Sequence, residues 1–288
     1  MSDHLKGLLI TGLGVLLIVP DSLLIRLIDA PALTIAFWRS LLAATSLGLV
    51  VLVVEGPGAF RALVRLGPWL WVYVVCMAIP GVLFVVAVSL TTVANVVFII
   101  AAMPAFAALW SRLYLGERLA PRTAVTIAVV MIGLGIIAYG SGETEGASRA
   151  GDVVALLVAV TFAGALTAAR QLRSVSLVPA IPVSYSLAAL ALLPFTDLFA
   201  LDRADLPLVG LHGPVFIAVS TALITLGPRY LPAAEVALLI LLESVFAPVL
   251  VWAVLGEAVG VWTLAGGGLV LGALAISNAV ALRRRRRR

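Results

Sequence analysis

The feature that most restricts this chain is a series of apolar runs of roughly 20 residues, separated by short stretches that hold most of the Lys, Arg, Asp and Glu residues. An apolar helix of about 20 residues is long enough to cross a hydrocarbon layer about 30 Å thick. Only 11% of the residues are charged and 63% are hydrophobic, against about 25% and about 45–50% in soluble domains. A soluble core cannot hide so much apolar surface, so the sequence predicts a polytopic membrane protein.

The apolar runs predict ten membrane-spanning helices. A transmembrane β-barrel would show short segments of alternating polarity, whereas these runs are continuously apolar. Helices satisfy every backbone hydrogen bond within one segment, as the bilayer requires. We therefore expect an all-α integral membrane protein. The predicted spans are residues 5–27, 33–54, 68–89, 93–115, 122–140, 151–170, 180–200, 208–228, 232–254 and 261–282.

The distribution of Lys and Arg predicts the orientation of these spans. Fifteen of the nineteen basic residues fall on the side of the two termini and three on the other side. Cytoplasmic loops carry the excess of basic residues, so we expect both termini in the cytoplasm and the chain in the cell inner membrane. The arginines of Arg283–Arg288 directly follow the last span. We interpret them as an anchor on anionic lipids rather than as a nucleic-acid site.

An internal repeat divides the chain into two halves. An offset of about 140 residues places Phe106-Ala107 on Phe246-Ala247 and Leu115-Gly116-Glu117 on Leu255-Gly256-Glu257. The predicted division is residues 1–140, a polar linker at 141–150, and residues 151–288. Each half holds five spans, an odd number, so the two repeats must have opposite orientations. Inverted repeats are typical of secondary transporters, whose substrate site lies near the membrane midplane.

The segments that carry this repeat resemble a known family. Asn95–Leu119 contains Pro104-Ala105-Phe106 and Leu115-Gly116-Glu117, and Leu241–Ala247 is followed by Leu255-Gly256-Glu257. These segments resemble the EamA-type members of the drug/metabolite transporter superfamily over nearly the whole chain. The resemblance implies a ten-helix exporter of amino acids or related metabolites, with the YddG-type amino-acid exporters as the favoured branch. One departure leaves the bend of span nine open: Glu243 is followed by Ser244 where the family has proline, and Pro248 comes later.

Three ionisable residues inside predicted spans are the leading substrate-site candidates, because such residues usually face a cavity or a partner. Glu243 lies about 16 Å into span nine at 1.5 Å per residue, so it is a candidate for a substrate amine or a proton, or else pairs with another helix. Arg39 is a candidate for a substrate carboxylate, unless its side chain extends to the headgroups. Asp21 follows Pro20, so it either lines the cavity or marks a helix bend.

Five further residues are weaker candidates for the same site. Glu235 and Asn95 occupy equivalent positions in the two repeats, and they mark either two mouths of one cavity or polar helix ends. Trp38 and Tyr185 are candidate lining aromatics, although aromatic residues also gather at membrane interfaces. Ser244 is included because it adjoins the candidate carboxylate of span nine.

Other polar and small residues are interpreted as structural. Glu117 and Glu257 each follow a glycine at the end of a span, so we expect them to cap a helix or pin a loop. The run Gly266-Gly267-Gly268, in which Gly268 and Gly272 have the GxxxG spacing, favours close helix packing. We expect that packing within one chain, with a homodimer face as the alternative.

The sequence also excludes several function classes. It has no GxxxxGK[ST] phosphate loop and no GxSxG motif, and His4 and His212 are too far apart for an HExxH zinc site. We therefore predict a transporter that works by alternating access, without a metal or cofactor, whose partners are a small-molecule substrate and membrane lipids. The alternatives are a carrier of drugs, nucleotide-type metabolites or lipids, a membrane-embedded enzyme, and a passive channel.

Overall fold

The computed structural model describes residues 3–116, 121–172, 174–231 and 233–286, and every regular element in these ranges is helical. Nine helices of the described chain are long and apolar enough to cross a membrane, and a tenth, Ala180–Phe195, is shorter. These helices confirm the predicted all-α membrane fold. In chain order they are α1 (Asp3–Leu27), α2 (Ala32–Val54), α3 (Pro68–Leu90), α4 (Val93–Leu115), α5 (Pro121–Gly140), α6 (Arg149–Gln171), α7 (Ala180–Phe195), α8 (Arg203–Leu226), α9 (Glu235–Leu255) and α10 (Val261–Arg286).

The largest departure from the predicted spans is at α7. The seventh span was expected to continue to residue 200, but the α-helix ends at Leu192 and a short 3-10 turn, Leu193–Phe195, follows it. Pro194 lies in this turn, and a proline lacks the N–H that a continuing helix needs. α8 correspondingly begins at Arg203, five residues before the predicted start.

Ten alternating spans place the first and last helix ends on one face of the bundle. We call this face, which holds Asp3 and Arg286, the terminal face, and we call the opposite face the distal face. α1 ends at the distal face, whereas α4, α6 and α10 begin there. The residues between α5 and α6 also lie at the distal face.

α4 and α9 each break at the same position of the repeat. α4 consists of Val93–Ala101 and Met103–Leu115. The two helix segments of α9 are Ala233–Ile240, which begins two residues before the apolar span, and Glu243–Leu255. The residue at each break donates its N–H three residues back, at 3.1 Å in α4 and 3.0 Å in α9. Such tight turns are typical of a locally disturbed helix. Both repeats therefore carry a discontinuous helix near mid-span.

The position of the bend in α9 resolves the question that the missing proline left open. Pro104 follows the break in α4: it has no N–H to donate to the carbonyl four residues earlier, and its ring clashes with that carbonyl in a regular helix. Ser244 holds the equivalent place in α9, yet the helix still breaks, between Ile240 and Glu243. Pro248 lies inside the second segment and does not mark the break.

Small residues bring α5 and α10 into close contact. A Cβ added to Gly133 would lie 2.8 Å from the carbonyl oxygen of Gly266, so the two backbones nearly touch. Gly267 packs in the same way against the ring of Phe98 in α4. Gly268 and Gly272, the expected packing pair, have no neighbour within 4 Å of an added Cβ among the described residues. The expected close packing within the chain therefore uses Gly266 and Gly267 of the glycine run and not the GxxxG pair, and the homodimer face remains a prediction.

Candidate functional site

A buried ion pair joins α1 and α2. The break after Ile18 allows a new helix segment to begin at Asp21, with Pro20 at its N-cap. The guanidinium of Arg39 donates from Nε to Oδ1 of Asp21 at 3.1 Å and from Nη2 to Oδ2 at 2.6 Å. Both residues are less than 5% exposed. The Arg39 side chain therefore does not extend to the headgroups, which was the alternative to a role inside the bundle.

His212 of α8 completes this group, which we call the charge cluster: Asp21, Arg39 and His212. The imidazole Nε2 lies 2.5 Å from Oδ1 of Asp21, and the residue is 1% exposed. Gly213 permits this approach, because an added Cβ would lie 2.8 Å from the backbone oxygen of Arg39. His212 was not among the predicted site residues. Its position as an ionisable residue inside a span was the available signal.

α3 and α7 enclose the charge cluster on its other sides. Nη1 of Arg39 donates to the carbonyl oxygen of Gly81 at 3.1 Å, and the Phe84 ring centroid lies 5.9 Å from its Cζ. Tyr185 of α7 packs against Gly81, and its hydroxyl lies 3.4 Å from Oγ1 of Thr221 in α8. Tyr185, a predicted lining residue, is thus brought beside Arg39 and is 6% exposed.

Glu243 is the nearby carboxylate without a direct partner. It is the first residue after the break in α9 and is half-buried. The charges of Asp21 and Arg39 act on it only at a distance, and no described residue hydrogen-bonds to it or forms an ion pair with it. Because Asp21 already balances Arg39, the carboxylate of Glu243 is the group at this level that remains available to another cation or to a proton.

Ser244 links the two broken helices. Its hydroxyl donates to the carbonyl oxygen of Val97 in α4 at 3.4 Å, and the residue is buried. This contact places the break in α9 directly against the first segment of α4. The predicted pair Glu243 and Ser244 therefore lies at the crossing of the two discontinuous helices.

Trp38 lies apart from the charge cluster. Its indole Nε1 donates to the carbonyl oxygen of Leu198 at 3.3 Å, in the loop that joins α7 and α8 at the distal face. The ring also meets Phe37 edge-on, with centroids 5.4 Å apart. The contact ties α2 to the loop between α7 and α8.

Asn95 belongs to a second group, which we call the distal network: Thr91, Asn95, Ser141, Asp152 and Thr263. Asn95 Nδ2 donates to Ser141 Oγ at 2.8 Å and to Asp152 Oδ1 at 3.0 Å, and its Oδ1 accepts from Thr263 Oγ1 at 2.6 Å. Thr91 Oγ1 donates to Asp152 Oδ1 at 3.0 Å. Asn95 is fully buried with both polar atoms bonded, so no group of it is left for a solute.

Glu235, the repeat equivalent of Asn95, lies at the terminal face. Its Oε2 is 2.7 Å from Nε2 of His4 at the start of α1. The predicted pair of positions, Asn95 and Glu235, thus occurs at opposite faces of the bundle. In each case the polar side chain contacts a helix other than its own.

Glu257 pins the loop after α9, as its position predicted. Its Oε1 accepts from the N–H of Val93 at 2.6 Å, and its Oε2 lies 3.0 Å from Nη2 of Arg26. A cavity of about 540 Å³ opens beside it at the distal face. Its lining includes Arg26, Thr92, Thr144, Glu145, Glu257 and Gly260. Glu117, the repeat equivalent, lies outside the described residues.

The described residues contain no group of three or more His, Cys, Asp or Glu side chains placed to hold a metal ion. The charge cluster supplies a guanidinium, a carboxylate and one imidazole, and its carboxylate oxygens are already bonded. The site therefore contains the buried Asp21–Arg39 ion pair, whose charges balance, and the separate carboxylate of Glu243 where α4 and α9 cross.

Comparison with known proteins agrees with this architecture. The model of the EamA-like transporter family matches residues 5–139 and 149–279, once in each repeat. A solved structure described as "Crystal structure of protein" has a TM-score of 0.65 and 19% sequence identity, covering 96% of this chain and 98% of that chain. At this identity the similarity concerns the fold alone. The comparison with curated proteins finds no match.

Proposed function

Because the chain belongs to the EamA-like transporter family, we propose that it is a secondary transporter that exports amino acids or related small metabolites. The family carries small solutes across membranes, and the nine long apolar helices of the described chain are those of a multi-pass membrane protein. Alternating access is the proposed mechanism. The two inverted repeats, residues 1–140 and 151–288, rock around a site at the crossing of α4 and α9.

The observation that carries this proposal is the unpartnered carboxylate of Glu243. An unpaired carboxylate inside a membrane protein costs free energy unless a cation or a proton neutralises it. Asp21 and Arg39 balance each other in their bidentate pair, so they leave Glu243 as the group that binds the ammonium of a substrate or carries a proton. The proposed site consists of Glu243, Ser244 and Tyr185, with the Asp21–Arg39 pair as one wall.

The Asp21–Arg39 pair limits how a substrate carboxylate would bind. Arg39 already donates three of its five N–H groups to Asp21 and Gly81, so a substrate carboxylate would bind through the remaining N–H groups of Nη1 and Nη2 or displace one of these acceptors. Backbone carbonyls freed at the helix breaks are the other polar groups at this level. Asn95, Trp38 and Glu235 contact helix ends and loops, so we assign them to the two faces rather than to the site.

The orientation and direction of transport are further parts of the proposal. The excess of basic residues on the terminal face favours a cytoplasmic location of that face in the inner membrane. Export rather than import follows from the resemblance to the EamA-type exporters. Basic loops set topology and carry no information about direction.

Counterflow in proteoliposomes tests the proposal. Vesicles are preloaded with one unlabelled amino acid at a time, and uptake of the labelled compound is followed for the wild type, Glu243→Gln and Glu55→Gln. Glu55 is an exposed carboxylate at the end of α2, so its variant controls for the loss of one charge. We expect saturable exchange in the wild type and in Glu55→Gln, and a rate lowered about tenfold or more in Glu243→Gln.

Each outcome of this assay selects one alternative. Equal rates in Glu243→Gln and wild type would remove Glu243 from the site. No exchange of any amino acid by folded protein would contradict the amino-acid assignment and favour other solutes. A passive channel would equilibrate label without counterflow, and an enzyme would convert its substrate in detergent without any second compartment.

A further inference from the structure

A single loop carboxylate fastens three helix ends at the distal face. Glu257, just after α9, forms an ion pair of 3.0 Å with Arg26 near the end of α1. It also accepts the N–H of Val93 at the start of α4, at 2.6 Å. Nη2 of Arg26 donates in addition to the carbonyl oxygen of Thr91, which follows α3, at 2.9 Å. We call the Arg26–Glu257 pair, together with its contacts to Val93 and Thr91, the clasp.

The local backbone places Glu257 where these contacts can form. α9 ends at Leu255, and the next residue, Gly256, has a φ of +71°, in the left-handed region that glycine adopts without strain. The chain therefore turns back across the distal face immediately before Glu257. Its carboxylate reaches the first turn of α4, where free N–H groups and the helix dipole favour a negative charge.

The clasp connects the two repeats, which is the property that a transport gate requires. Arg26, Thr91 and Val93 belong to the first repeat and Glu257 to the second. Alternating access needs contacts between the repeats that exist in one state and are absent in the other. Arg26 and Glu257 also line the 540 Å³ cavity of the distal face, so the clasp lies where an opening on that face would form.

The clasp differs from the distal network in how easily it can open. Every member of the distal network is at most 5% exposed, and its hydrogen bonds tie α3, α4, α5, α6 and α10 together. The side chains of Arg26 and Glu257 are 26% and 21% exposed, so water can replace their contacts when they separate. The Arg26–Glu257 pair, which solvent can reach, therefore connects α1 and α9 to the helices that the distal network holds together.

From this geometry we propose that the clasp is the distal gate of the transporter, and that it must open for the site at Glu243 to reach the distal side. The proposal rests on the proposed function, since a gate presupposes a site behind it. Arg26 and Glu257 are positioning residues: they hold helix ends together and do not touch the solute in the central site.

Thiol accessibility tests the gate without any transported solute. Cys76 is replaced by serine and Ser244 by cysteine, which places one thiol beside the proposed site. A membrane-impermeant maleimide is added to the distal side of sealed vesicles. We expect slow labelling with the clasp intact and labelling about tenfold faster in Glu257→Gln, because loss of a charge-assisted contact favours the open state by a factor of this order.

A control variant and a second clasp variant show whether the labelling rate depends on the Arg26–Glu257 pair itself. Glu145 lines the same cavity but is not part of the clasp, so Glu145→Gln should label like the parent. Arg26→Gln should accelerate labelling as Glu257→Gln does, and the double variant should add little, because either change breaks the same ion pair. Only variants that elute as a single species in detergent are compared.

The gate and the proposed function can fail separately in these measurements. Equal labelling of Glu257→Gln and Glu145→Gln would overturn the gate, even if counterflow depends on Glu243. Faster labelling in Glu257→Gln without exchange of any solute would support the gate and contradict the amino-acid transporter. Additive acceleration in the double variant would show that Arg26 and Glu257 do not act through one contact.

Discussion

Replacement of Asp21 by asparagine is the most direct test of the charge cluster. The neutral amide would leave the guanidinium of Arg39 without its counter-charge in a place where that residue is only 4% exposed. His212 would also lose its anionic hydrogen-bond partner, because its Nε2 lies 2.5 Å from Asp21 Oδ1. We therefore expect Asp21→Asn to destabilise the fold strongly, although the change preserves the size of the side chain.

The size of the effect follows from the burial of the pair. Removing one partner of a buried ion pair costs about 3–5 kcal/mol, because the other charge remains desolvated. An arginine at the centre of a membrane helix costs about 2.5–3.5 kcal/mol on insertion scales, which agrees with the lower end of that range. At about 1.4 kcal/mol per tenfold, a loss of about 3 kcal/mol changes the ratio of folded to unfolded protein more than a hundredfold.

Unfolding by sodium dodecyl sulfate from mixed micelles, followed by circular dichroism, measures this loss. Asp197→Asn is the control, because Asp197 is exposed and accepts a hydrogen bond from the N–H of Phe199 in a loop; we expect a change below about 1 kcal/mol there. The double variant Asp21→Asn with Arg39→Gln should lose less than the sum of its single changes by roughly 1–3 kcal/mol. An Asp21→Asn protein as stable as Asp197→Asn, or additive single changes, would refute the argument.

Three further predictions use the same unfolding measurement. Gly267→Ala should cost about 1–3 kcal/mol, because an added Cβ overlaps a phenyl ring of α4, whereas Gly268→Ala faces open space and should stay within about 1 kcal/mol of wild type. Thr263→Val should cost about 1–3 kcal/mol, because the buried amide oxygen in α4 loses its 2.6 Å hydrogen bond; an unchanged stability would count against the distal network. Ser244→Pro should cost under about 1 kcal/mol, since position two of a helix segment needs no N–H donor, whereas Val249→Pro, inside that segment, should cost about 3 kcal/mol. Equal losses in the two proline variants would contradict the position of the break.

The sequence predicted the role of a residue correctly where that role depends only on the residue and its immediate neighbours in the chain. Glu257 was expected to pin a loop because it follows a glycine at a helix end, and it does so through Val93 and Arg26. Arg39 and Asp21 were each recognised as intramembrane charges, but their pairing was not. They are 18 residues apart, on two different helices, and hydropathy does not report which faces of two helices meet.

The sequence by itself determined the all-α membrane fold and the ten spans, because a bilayer forces each segment to satisfy its own backbone and to match the membrane thickness. Those constraints act within about 20 residues. The repeat was visible directly, as residues that recur at an offset of about 140. Only the tertiary structure decided that His212 contacts Asp21, that the polar atoms of Asn95 bond within the distal network, and that α9 breaks with no proline at the break. Each of these depends on the rotation and depth of neighbouring helices, which side-chain packing between distant parts of the chain sets.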